Sequence, residues 1–184
     1  MFGHRLFLRA PVAAVLAVAA LLLAACGGGS FDAQGLVFDY PDGFEQADGT
    51  TRKMLILKPS QPDLGVVTVV WEEGGQPDAG VLMANALRAL GADDAAYDDR
   101  TLDLIEFAEV PGATAHYLEM SLRASDDPAE PGYFARMMVL EGSNGFGYIV
   151  GHTVPAGHRD DDDVLQVWEH LRTSLRFEAQ NARR

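Results

Sequence analysis

A single cysteine in 184 residues excludes an internal disulfide and every Cys-rich metal framework. The chain also lacks His-x-His, His-Glu-x-x-His and Cys-His spacings, so zinc and copper find no support in the sequence. No Gly-x-Ser-x-Gly elbow is present, and Gly145-Phe146-Gly147 leads into a strand pattern rather than a helix, which removes a phosphate-binding loop. Positive charge is scarce: 14 Lys and Arg stand against 27 Asp and Glu, a formal charge of −13. So acidic a surface repels nucleic acid and anionic headgroups. The one long apolar run, Ala10 to Ala25, falls short of the roughly 20 residues that span a bilayer.

That run has the layout of a signal peptide. His4, Arg5 and Arg9 form a basic start, and small residues precede Cys26. Gly27-Gly28-Gly29-Ser30 follows, a flexible stretch without the basic flank of a stop-transfer anchor. Leu23-Ala24-Ala25-Cys26 resembles the lipobox of bacterial lipoproteins. The resemblance implies cleavage after residue 25 and diacylglycerol (often also an N-acyl chain, such as palmitate) on Cys26, with the chain held on the extracytoplasmic face of a membrane in the cell envelope. Gly27 in place of Asp leans towards an outer membrane where the host has one. Two or more acyl chains give stable anchoring, where one is marginal. The plainer reading is a secretory signal with a stray thiol, and an exposed free thiol is a liability in an oxidising compartment. Removing residues 1–25 takes two arginines and no acid, which brings the formal charge to −15 over 159 residues. The expected organisation is a signal peptide over 1–25, lipidated Cys26 and a tether over 26–34, one domain over 35–178, and a polar tail over 179–184.

Within the domain, Leu36 to Tyr40 alternates as a strand and Pro41-Asp42-Gly43 turns it, with Phe44 packing back beneath. Met54 to Lys58 is a second strand. Val66 to Glu72 is apolar on both faces and belongs in a sheet centre. Asp78 caps a helix whose Leu82, Met83, Ala86, Leu87 and Leu90 form one stripe, and Gly91 ends it. Ala92 to Arg100 is an acidic loop. Four strands follow: Leu102–Val110, Thr114–Arg123, Tyr133–Leu140 and Phe146–Val154. Val110-Pro111-Gly112-Ala113 reads as a turn, Ser125 to Gly132 as a loop, and Gly142-Ser143-Asn144-Gly145 as a tight hairpin. Gly147 and Gly151 leave room for a helix or another backbone. Asp160 to Asp163 lead into a second helix with Val164, Trp168, Leu171 and Leu175 on one face. The order βββ-α-ββββ-α implies an α+β domain: a mostly antiparallel sheet of about seven strands covered by two amphipathic helices.

From Gly35 to Phe177 this order resembles the Mog1/PsbP-like α/β/α sandwich. Phe38-Asp39-Tyr40-Pro41-Asp42-Gly43-Phe44 is similar to that family's strand ending in Pro-x-Gly-aromatic, and Ser174-Leu175-Arg176-Phe177 to its closing segment. Its members include bacterial lipoproteins and photosystem or nuclear-transport accessory proteins. They share a scaffold and no catalytic motif, so the resemblance implies a binding or assembly role and carries over no site residue.

The residues that can carry chemistry each have a bland reading. His116 and His152 lie on strands that the sheet can bring together, or are half-buried histidines satisfied by backbone; His158 and His170 stand alone. Asp160–Asp163 can gather a hard cation with Asp93, Asp94, Asp98 or Asp99, or simply serve the helix start. Glu72 and Glu73 are adjacent on a strand, so they point to opposite faces. Ser143 sits in a turn. Trp71, Tyr117 and Trp168 read as core, and Tyr133 as core or groove lining. The expectation is a lipid-anchored accessory module with no catalytic residue, no cofactor and no resident metal. It is bound to the membrane through Cys26 and meets an envelope protein; no nucleic acid is involved. The alternatives are an envelope hydrolase built from histidines and acids that the fold assembles, or a small-molecule or cation carrier.

Overall fold

The computed structural model describes residues 29–92, 99–110, 113–123 and 132–178. Cys26, Pro111-Gly112, the acidic residues 93–98, the loop 124–131 and the tail 179–184 lie outside the described residues. Two sheets form. The larger has seven strands in the order β3-β4-β5-β9-β8-β7-β6, and every neighbour pair is antiparallel. Its strands are β3 (Phe44–Gln46), β4 (Met54–Pro59), β5 (Val66–Glu73), β6 (Asp99–Val110), β7 (Ala113–Arg123), β8 (Tyr133–Gly142) and β9 (Phe146–Pro155). The smaller sheet is β1 (Ser30–Ala33), β2 (Leu36–Asp39) and β10 (Arg176–Phe177), with β2 in the middle. Among the described residues two α-helices complete the fold, α1 (Ala79–Leu90) and α2 (Asp162–Ser174). Neither is long and apolar enough to cross a membrane.

The expected α+β class, seven-stranded antiparallel sheet and two helices are present. The membership of the sheet differs from the simplest reading. The Leu36 strand leaves the main sheet at Pro41 and pairs instead with β1 and β10. Phe44, expected only to pack under the turn, begins β3 on the edge. Residues 30–33, expected to precede the domain, form β1. Ser30 pairs with Asp39, and Phe31 is buried with its ring 5.2 Å from Phe38 and 5.3 Å from Trp71. Strand β6 starts at Asp99, inside what reads as the acidic loop.

Each face of the sheet is covered by a different layer. Helix α1 is capped as its sequence requires: the Asp78 carboxylate accepts from the Gly80 N–H at 2.7 Å, and Gly91 ends it at φ 79. Leu82, Met83 and Leu87 bury against Val70, Met137 and Ile149. Gly151 makes this approach feasible, because a Cβ there would stand 2.7 Å from Leu82 Cδ2. The opposite face carries α2 and the small sheet. Val167, Trp168 and Leu171 join Leu57, Val69, Trp71, Tyr148 and Phe177 in the larger core cluster. Trp168 meets Tyr117 edge-on at 6.2 Å. Trp71 and Tyr117 are core residues, and Tyr133 is half-buried against the α1-side cluster. The β8–β9 hairpin turns through Gly145 at φ 84. Its Asn144 amide and the Tyr148 hydroxyl both donate to the Gln34 carbonyl, which locks the small sheet onto the large one.

Candidate functional site

Three segments distant in sequence converge at the N-terminal end of α2. The first is the turn Pro41–Phe44, closed by Phe44 N–H to Pro41 O at 3.1 Å with Gly43 at φ 77. The second is a short 3-10 turn, Pro62–Leu64, whose proline presets the backbone. The third is the first two turns of α2. Ser60 N–H donates to Gly43 O at 3.2 Å and ties the first two together. Between them lies a groove of about 340 Å³. Pro41 and Asp42 line it from the first turn, Gln61 and Leu64 from the second, and Asp163, Gln166, Val167 and His170 from the helix. Pro41, Leu64 and Val167 are its apolar lining, and Asp42, Gln61, Asp163, Gln166 and His170 its polar lining. His170 is oriented by a 3.2 Å contact from Nε2 to the Asp39 carbonyl, so Nε2 is the donor there.

Beneath the 3-10 turn sits the one histidine buried almost completely among the described residues. His152 on β9 is 1% exposed, and its Nε2 lies 2.7 Å from the Leu64 carbonyl. A carbonyl only accepts, so Nε2 carries the proton and Nδ1 is left as a buried lone pair without a partner. Burial pushes the imidazole down to about 4; the Arg136 charge adds to the shift and the Leu64 bond opposes it. Gly65 allows this arrangement. Its φ is 73, and a Cβ would stand 2.1 Å from the Thr153 carbonyl.

A charged corner adjoins. Arg136, opposite His152 in the ladder, donates from Nη1 to Arg159 O at 2.9 Å. It lies 3.6 Å from Glu119 and 3.7 Å from Asp160, and its guanidinium sits 4.8 Å from the centre of the Phe134 ring. Arg159 pairs with Asp160 at 3.0 Å. His158 Nδ1 lies 2.9 Å from Asp161 and its Nε2 3.8 Å from Asp63, and the Asp161 bond raises its pKa. Asp161 is the N-cap residue of α2 yet makes no side-chain cap bond. The expected capping role is corrected here: its carboxylate is spent on His158. Arg136→Ala should cost about 2 kcal/mol, because it removes a charge-assisted bond and a cation–π contact from a site where the arginine side chain is 12% exposed. Urea denaturation measures this; a loss below about 0.5 kcal/mol would show that the corner is solvated surface.

The sheet does not bring His116 and His152 together. They lie on β7 and β9, with β8 between them, opposite Val139 and Arg136 respectively. That offset of three residues also puts them on opposite faces. Glu72 and Glu73 are exposed at the end of β5, and Ser143 is exposed in the hairpin. Asp93, Asp94 and Asp98 lie outside the described residues, as does the side chain of Asp99. Among the described residues no three His, Cys, Asp or Glu side chains are placed to hold a metal.

No family model and no curated protein matches the chain. Solved structures do. The Ran-binding protein Mog1p of Saccharomyces cerevisiae superposes with a TM-score of 0.50 at 9% identity, covering 82% of this chain and 95% of that one. A point mutant of protein Mog1 gives 0.53 at 9% identity, with coverage of 83% and 97%. The fold is Mog1-like. At this identity the likeness is one of scaffold alone, in agreement with the resemblance read from the element order and the two flanking motifs. On the Mog1-like scaffold, the groove and the Arg136–His152 corner are features of this chain's own residues. Sequence reading singled out His152 and allowed it a backbone partner, but it named neither Arg136 beside it nor the groove. The one available signal is the arrangement Pro62-Asp63-Leu64-Gly65, a proline-started turn ended by a glycine, set opposite a histidine in an otherwise apolar strand.

Proposed function

We propose that this chain is a lipid-anchored binding module of the bacterial cell envelope, held outside the cytoplasm by acyl chains on Cys26 and acting without catalysis. The observation that carries the non-catalytic part is the state of the histidines. His152 and His170 are each tied to a backbone carbonyl, and burial keeps His152 neutral. A general base must reach a nucleophile or a substrate proton, and His152 is sealed from both. The anchor rests on Leu23-Ala24-Ala25-Cys26 and the glycines behind it. The Mog1-like scaffold adds a precedent, since its yeast neighbour is a Ran-binding protein. That partner belongs to the neighbour; what transfers is a scaffold that meets another protein.

Radiolabelled palmitate separates the possibilities for the anchor. Wild type should take up label and Cys26→Ala should not, with the variant released from the membrane fraction; equal labelling sinks the lipid. For the binding role, crosslinking followed by recovery from solubilised membranes should return a reproducible protein partner. Recovery of the chain alone under several crosslinkers would count against it.

A further inference from the structure

We propose that the groove between the Pro41–Phe44 turn, the Pro62–Leu64 turn and α2 receives a basic side chain, lysine or arginine, of the partner protein. This rests on the binding-module reading and names its site. The first argument is charge accounting. At this end of the molecule Asp160 pairs with Arg136 and Arg159, Asp161 and Asp63 lie beside His158, and Asp162 at the exposed start of α2 has no ion pair among the described residues. Asp42 and Asp163, which line the groove from its first turn and from α2, have no ion pair or side-chain hydrogen bond among the described residues. Neither do the carboxamides of Gln61 and Gln166. Four polar side chains therefore converge on one concavity with their hydrogen-bonding capacity open to an incoming group.

The second argument is shape and chemistry. Val167, buried, and the half-buried Leu64 supply apolar lining. A basic side chain has an apolar stem and a cationic tip, so it matches a groove that combines these two residues with two carboxylates. The volume of about 340 Å³ lies at the lower end of ligand sites, which run from about 300 Å³ upward, and suits one side chain rather than a cofactor. A hard metal ion needs six or more oxygens and is a poorer match for two carboxylates beside Leu64 and Val167. The formal charge of −15 over residues 26–184 steers such a partner towards it.

The third argument is position. Tyr40 N–H donates to Gly29 O at 2.7 Å, so the described chain begins one residue pair away from Pro41 and Asp42. Cys26 is three residues before Gly29, a reach of at most about 11 Å. With Cys26 lipidated, the groove stands close to the membrane, where an envelope partner's basic segment is within contact.

The test uses the lipidated protein in detergent and a Gly-Lys-Gly peptide amide, followed by nuclear magnetic resonance. Saturable shifts are expected at the amides of Gln61, Gln166 and His170. Acetylating the lysine Nζ should weaken binding at least about ten-fold, since it removes the charge and keeps the stem. The Asp42→Asn/Asp163→Asn variant should lose a similar factor, whereas Glu72→Gln/Glu73→Gln, with the same change of net charge at the end of β5, should stay within about two-fold. Equal weakening by both variants, or indifference to acetylation, would show diffuse attraction and overturn the proposal. So would the absence of saturable shifts up to millimolar peptide. Failure here with a reproducible crosslinked partner would leave the binding-module reading standing and remove only this site.

Discussion

Gly65→Ala should lower the unfolding free energy by about 3 kcal/mol. Two costs add. At φ 73 an alanine is in the left-handed region, which costs about 1–2 kcal/mol. Its Cβ would also stand 2.1 Å from the Thr153 carbonyl and 2.6 Å from Val154 Cγ1, so backbone has to move. The movement would pull the Leu64 carbonyl off His152. Gly74→Ala separates the two costs. Its φ is 78, but a Cβ there meets nothing within 4 Å, so it should cost only the conformational part. Urea denaturation of the two variants gives the difference directly. If both fall by the same amount, the tight contact under the 3-10 turn is not what that turn depends on.

The second large effect is a loss of stability in mild acid that belongs to His152. Its folded pKa is about 4 against an unfolded value of 6.5. Above 6.5 both states hold the imidazole neutral and the contribution is fully present. Between 6.5 and 4 the unfolded chain takes up a proton that the folded chain refuses, so stability falls as the pH falls, by about 3 kcal/mol in all. His158 works in the opposite sense. Its pKa is raised by Asp161, so its contribution is present in acid and is lost as the pH rises through the folded value. It is exposed and its effect is small. His152→Gln keeps a donor for the Leu64 carbonyl and removes the ionisation. Its stability should therefore be nearly flat across the upper part of that range, where wild type declines; parallel curves would assign the acid sensitivity to the carboxylates instead.

The elements that local chemistry dictates were legible. Asp78 and Gly91 mark both ends of α1 because a cap acceptor and a left-handed residue are local requirements. The two-sided apolar run Val66–Trp71 could only be covered on both faces, and β5 lies inside the sheet between β4 and β9. Gly147 and Gly151 signalled close approach, and the Gly75 carbonyl and Leu82 fill those spaces. What failed depended on pairing between distant segments. Phe31 looked like part of a glycine tether because nothing nearby shows that it has Phe38 and Trp71 as neighbours. The strand at Leu36 carries no mark saying which sheet it joins; that is decided by β10, some 140 residues later in the chain.

The candidate site was less legible than the fold for the same reason. His152 reads as one polar residue in an apolar strand, and its partner is a carbonyl, which no side-chain pattern encodes. The groove needs Asp42, Gln61 and Asp163 at once, and only the tertiary fold puts them around one space. The aspartates of α2 look equivalent in sequence. In the structure Asp160 pairs with Arg136 and Arg159, Asp161 bonds His158, and Asp163 lines the groove.

The central claim is that an acidic Mog1-like body acts at a membrane through a lipid on its only cysteine. Intact mass spectrometry of the protein extracted from membranes tests it most directly. The account expects a chain that begins at Cys26 and carries the added mass of diacylglycerol, with or without an N-acyl chain. A chain that retains residues 1–25, or one that begins near Cys26 with no added lipid mass, would contradict it.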